Sequence, residues 1–215
     1  MTDHLHETTK KIKQSLRLSM NGIVSAHQRR QGLDYKINFG VEIPRLKEIA
    51  AEYPKSKELA AALWKENIRE CKLLAIFLRP QEDSASIAEE WIAEAPFTEI
   101  ADHLSKNILR HLPDAQHNAL AWTEKEEGLF RYCGYLTITH LVREGAALTP
   151  AQEERLCKNI NTLFTQETDS TLCRTAFTAL CRYFEEDTAR AAQILAHIPA
   201  GSTLRNLAEE YFTQD

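Results

Sequence analysis

Turn-forming residues are scarce in this chain, and the scarcity excludes whole classes of fold. Seven glycines and seven prolines in 215 residues are too few for a β-sandwich or barrel, whose many tight turns call for both. Long apolar runs are missing as well. The longest, Leu73 to Leu78, falls far short of the roughly 20 residues a membrane span requires. The opening Met1-Thr2-Asp3-His4-Leu5-His6-Glu7 lacks the apolar stretch of a secretory leader, so a cytoplasmic protein with no membrane association is expected. None of the five cysteines (Cys71, Cys133, Cys157, Cys173, Cys181) forms a CxxC pair. Each falls in a helical pattern and reads as a small buried thiol in a reducing compartment, with no metal site. Nor is there an excess of positive charge. The 26 basic residues stand against 31 acidic ones for a net charge of −5, which counts against DNA binding without excluding a basic face.

What remains is helix. Apolar residues recur at helical spacing: Ile12, Leu16, Met20 and Ile23 make one stripe, Leu129, Cys133, Leu136 and His140 a second. Leu204, Leu207, Ala208 and Tyr211 make the i, i+3, i+4, i+7 face of a closing helix. The prolines at 44, 54, 80, 96, 113, 150 and 199 fall between these patterns, where proline opens or separates helices rather than breaking them. No segment alternates with period two. The chain is expected to be all-α, a single domain over 1–215, with N-terminal helices over 1–53 and about five helix pairs over 56–213. The pairs are 56–65 with 67–79, 84–95 with 97–112, 114–122 with 127–144, 150–164 with 170–185, and 187–197 with 202–213. Three second helices open alike, at Ile68-Arg69-Glu70-Cys71, Phe130-Arg131-Tyr132-Cys133 and Cys173-Arg174-Thr175-Ala176. Their arginines lie 62 and 43 residues apart, irregular multiples of the roughly 40–47 residues of a HEAT repeat.

The stretch Asn38-Phe39-Gly40-Val41-Glu42-Ile43-Pro44-Arg45-Leu46-Lys47-Glu48-Ile49-Ala50 is followed by Glu58-Leu59-Ala60-Ala61-Ala62-Leu63-Trp64 and by Ile68-Arg69-Glu70-Cys71-Lys72-Leu73-Leu74-Ala75. In order and spacing these blocks resemble the opening of the bacterial DNA alkylation repair family, which includes glycosylases that remove alkylated bases. The resemblance implies HEAT-like helical repeats wound into an α-α superhelix, with a concave groove lined by the second helices.

The family's groove carries a Trp-Asp-x-x-Asp element, and the matching stretch here is Thr98-Glu99-Ile100-Ala101-Asp102. Asp102 takes the place of the family carboxylate, while Thr98 replaces the tryptophan. The family's paired arginines match Phe130-Arg131-Tyr132, where either Arg131 or Tyr132 fills the groove position. The Lys-Ala-Ile-Gly-Trp element matches Arg174-Thr175-Ala176-Phe177-Thr178, so a second tryptophan is replaced by Thr178. The resemblance therefore implies duplex DNA as partner and N3- or N7-alkylated purines as substrates, with Asp102 as the catalytic carboxylate. The candidate DNA contacts are Arg69, Lys72, Lys106, Arg110, Arg131, Tyr132, Arg174 and Arg182. No cofactor or metal is implied, and a monomer is expected. The two missing rings leave open the alternative of a non-catalytic HEAT-like scaffold for nucleic acid or a protein partner. Trp64, Trp91 and Trp122 near the ends of first helices read as packing residues.

Overall fold

The computed structural model describes residues 2–82, 84–166, 168–186 and 191–213. It is built of α-helices; among the described residues no strand forms, and an isolated parallel bridge pairs Ile37 with Ile68. The helices are α1 (Thr2–Leu18), α2 (Gly22–Arg30), α3 (Ile43–Ala51), α4 (Lys57–Trp64), α5 (Arg69–Leu78), α6 (Ala88–Ala93), α7 (Thr98–Asn107), α8 (Ala115–Trp122), α9 (Gly128–Arg143), α10 (Pro150–Gln166), α11 (Ser170–Glu186), α12 (Ala191–Ala196) and α13 (Thr203–Thr213). Short 3-10 turns at Ala85–Ile87 and Leu109–His111 precede α6 and follow α7.

Capping chemistry sets several of these ends. Asn21 accepts from Ile23 N and Val24 N to start α2, and Ser56 Oγ accepts from Leu59 N to start α4. Thr149 and Gln152 form a reciprocal box at α10, and Asp169 caps α11 through Thr171 N at 2.8 Å. The cap at Asn21 also corrects the first expected stripe. α1 ends at Leu18, so Ile12 and Leu16 are fully buried while Met20 and Ile23 lie outside it and are exposed. The closing stripe is likewise narrower than expected: Leu204 and Ala208 are buried, Leu207 and Tyr211 are not. The expected helix over 97–112 is broken after Asn107, and that over 187–197 begins outside the described residues, with α12 covering Ala191–Ala196.

Two compact units divide the chain, residues 1–108 and 109–215. In the first unit α5 packs against α3 and α7, with α4 paired against it and α1 on α4. Its core is aliphatic (Leu46, Ile49, Leu63, Leu73, Leu74, Ile100, Leu104) and includes Trp64 and Trp91, whose rings stack at 4.1 Å and 3°. The tryptophans are packing residues, as expected, and Trp122 is buried in the second unit. There α9 packs against α8 and α11, and α10 against α8, α11, α12 and α13. Gly134 allows the close approach of α9 to α8, because a Cβ there would fall 2.7 Å from Ala119 O and 2.9 Å from Thr123 N. Four cysteines are buried and Cys173 is half-buried; burial pushes the Cys71, Cys157 and Cys181 thiols up to about 12. Among the described residues no cluster of His, Cys, Asp or Glu could hold a metal, and no helix is long and apolar enough to cross a membrane.

Candidate nucleic-acid interface

In the first unit the site grows from the segment before α3. Gly40 adopts φ +71°, and a Cβ there would fall 2.1 Å from Asn21 O, so only glycine lets this loop lie on the start of α2. The loop's amides then meet a carboxylate: Phe39 N and Val41 N donate to Glu70 at 3.1 and 3.3 Å. Glu70 is fully buried at the first turn of α5, where the helix dipole favours a negative charge. Beside it Arg69, 2% exposed, donates Nη1 to Val41 O at 3.0 Å and to Glu70 Oε1 at 3.1 Å. Its remaining fork closes on Glu99 of α7. Burial pulls the Arg69 pKa down, but the bonds and charges of Glu99 and Glu70 outweigh it and leave the guanidinium above its ordinary value. Tyr35 completes the set by donating its hydroxyl to Glu99 Oε2 at 3.0 Å. Burial first, then the Glu99 charge, raises the Tyr35 pKa, so the phenol stays a donor.

This network fixes the N-terminal turn of α7, and Asp102 stands one turn further along, exposed. Lys106 lies four residues on, exposed on the same helical face. Between them His103 is half-buried and meets the Phe77 ring edge-on at 5.6 Å. Its pKa is lowered chiefly by burial. Glu99 opposes that shift, and Arg69, Lys106 and Lys47 add to it. Lys47 of α3 is exposed and shares the electrostatic surroundings of α7. Thr98, at the position of the family tryptophan, is exposed, and Phe97 packs on Tyr35 at 4.6 Å.

Not every basic residue expected to touch DNA can do so. Arg69 is enclosed by two carboxylates and a carbonyl, so it holds α7 to α5 and reaches no phosphate. Lys72 donates to Trp64 O at 2.8 Å and lies 4.3 Å from the Trp64 ring; burial, partly offset by Glu94, lowers its pKa. It is committed to packing. In the second unit Arg110 is ion-paired with Glu144, and Arg182 with Glu185. Arg131 lines a hollow of about 400 Å³ together with Glu124, Glu126 and Asn159. Tyr132 packs on the hydrophobic core of that unit. Arg174 is exposed one turn before Thr178, also exposed, whose hydroxyl bonds Arg174 O at 2.9 Å. Of the expected contacts, Lys106, Arg174 and Arg182 are exposed, Arg182 in its pair with Glu185. Sequence reasoning missed Tyr35, Glu70 and Lys47. The Arg69-Glu70 pair at a helix start was a signal for the buried network, but nothing local marked its partners.

Among the described residues the fold is helical, with Asp102 and Lys106 exposed on one face of the braced helix α7. The family model described as DNA alkylation repair enzyme matches residues 12–183, and the chain belongs to that family. No curated protein and no solved structure matches the chain.

Proposed function

We propose that the chain binds duplex DNA and excises alkylated purines slowly, with Asp102 as its catalytic carboxylate and with helix pairs of HEAT-like type in each unit. The observation that carries this reading is the exposed carboxylate of Asp102 at the family position, on a helix whose first turn is held by Arg69 and Tyr35 through Glu99. A purine alkylated at N3 or N7 is cationic. When its bond to the sugar C1′ breaks, the electron pair leaves with the base and the positive charge passes to the sugar. An anion beside that sugar stabilises the developing oxocarbenium ion and orients the water that adds to C1′, whose surplus proton passes to solvent to leave a C1′ hydroxyl. Lys106 and Lys47 supply cations on the same unit for the phosphates.

Base release from methylated DNA tests the reading. Native protein should release N3-methyladenine or N7-methylguanine slowly, and Asp102→Asn should lower the rate by about 10²-fold or more. Equal release by the two proteins would leave Asp102 a structural residue. A second reading, a DNA-binding module without chemistry, draws on Thr98 and Thr178, both exposed where the family carries indole rings. Salt-sensitive binding of duplex DNA with no base release would favour it.

A further inference from the structure

A groove of about 370 Å³ opens in the first unit at the entries to α5 and α7. Its rim carries Arg29, in the last turn of α2, and Lys36 in the loop that follows; both are exposed. Asn67, just before α5, adds an exposed side-chain amide, and Pro96 and Phe97 form the α7 side. The floor is aromatic and held in place. Tyr35 is buried, meets Phe97 at 4.6 Å and 63°, and is tied by its hydroxyl to Glu99. Asp34 also lines the groove, so two cations face one carboxylate and the net charge is positive.

From this arrangement we infer that the groove is a subsite for the sugar–phosphate backbone of DNA flanking the damaged nucleotide, with Arg29 and Lys36 on phosphate and Phe97 against the sugar or base. The inference rests on the DNA-binding reading above and extends it to residues outside the family motifs. Charge complementarity selects the ligand: paired cations match a phosphodiester, and a partly exposed aromatic ring offers a face or edge to its sugar or base. Position agrees with the role. Asp102 follows Phe97 by five residues, about 7.5 Å along a helix axis, and duplex DNA carries one phosphate per strand about every 3.4 Å of axis. The same five-residue step turns about 140° around the helix, so a strand with its lesion at Asp102 that curves round the entry of α7 brings a phosphate roughly two nucleotides away to the groove.

The test is binding of a fluorescein-labelled DNA duplex, measured by anisotropy over a range of salt concentrations. Each phosphate contact contributes about 0.9 to the slope of log affinity against log salt. The double variant Arg29→Ala/Lys36→Ala should therefore lose about 1.8 of that slope, along with affinity at low salt. Arg30→Ala removes an exposed cation of the same helix that does not line the groove, and it should leave the slope at the native value. An unchanged slope in the double variant, or an equal loss in Arg30→Ala, overturns the subsite while leaving DNA binding intact. Absence of duplex binding by the native protein, at any salt, overturns the DNA reading and the subsite with it.

Discussion

Glu99 lies in the fork of Arg69, with Nε 2.9 Å from Oε2 and Nη2 2.6 Å from Oε1. This paired geometry fixes direction as well as distance. Because Arg69 also binds Glu70 and the Val41 carbonyl, one guanidinium ties the loop before α3, the start of α5 and the start of α7 together. The carboxylate at 102 is carried on the helix so braced.

Truncating Arg69 leaves Glu70 and Glu99 without their shared cation. Arg69→Met should destabilise the protein by about 3–5 kcal/mol, the usual cost of stranding a buried charge. Glu99→Gln should cost less, since Glu99 is 19% exposed at its side chain and Arg69 keeps Glu70 and Val41 O. Urea unfolding of the two single variants and the double gives the coupling between them. A loss within about 0.5 kcal/mol for Arg69→Met, typical of surface sites, would show that the network does not hold the fold.

His103 gives stability a pH dependence of definite sign. Burial is the main cause holding its folded pKa below the ordinary 6.5; Glu99 opposes the shift, and Arg69, Lys106 and Lys47 reinforce it. The unfolded chain therefore takes up the proton first as pH falls. The contribution is fully present above 6.5 and is lost as pH drops from there through the folded value. Unfolding midpoints should fall over that window in the native protein and flatten in His103→Gln. The carboxylates of Glu58, Glu124 and Glu185 have lowered pKa values and titrate further into acid. Parallel pH profiles for native and variant would remove His103 as the cause.

The helices were legible because their punctuation is local. Proline at 150 and the side-chain caps at 56 and 169 act within three or four positions, and the expected and observed ends of α4 and α11 differ by no more than about one residue. The amphipathic stripes were less so, because periodicity continues through a cap: Met20 and Ile23 match the α1 spacing, yet the chain has already turned at Asn21. Asp102 was matched to the family carboxylate by pattern alone, since its neighbours in the motif are contiguous. Arg69 could not, because Glu99 lies 30 residues away in sequence and Val41 28 away. An arginine at a helix start looks the same whether it meets solvent or two carboxylates. Lys47 and the groove beside Phe97 were invisible for the same reason, being made by segments far apart in the chain.

The missing rings can be put back. Thr98 is the first residue of α7 and exposed; Thr178 is exposed within α11, where its hydroxyl only bonds back to Arg174 O. Neither side chain packs in a core, so Thr98→Trp and Thr178→Trp should each change stability by no more than about 0.5 kcal/mol. An indole face attracts a cationic base or sugar by about 0.5–2 kcal/mol. Realised in the transition state, that is a rate gain of roughly 2- to 30-fold. The expected outcome is faster base release from methylated DNA by Thr98→Trp, abolished again when Asp102→Asn is added. The dependence on Asp102 separates catalysis from tighter DNA binding, which would raise affinity in both backgrounds. Folded, DNA-binding Thr98→Trp with no gain in release would mean that position 98 does not face the reacting nucleotide, and the register that places Asp102 at the family carboxylate would fall with it.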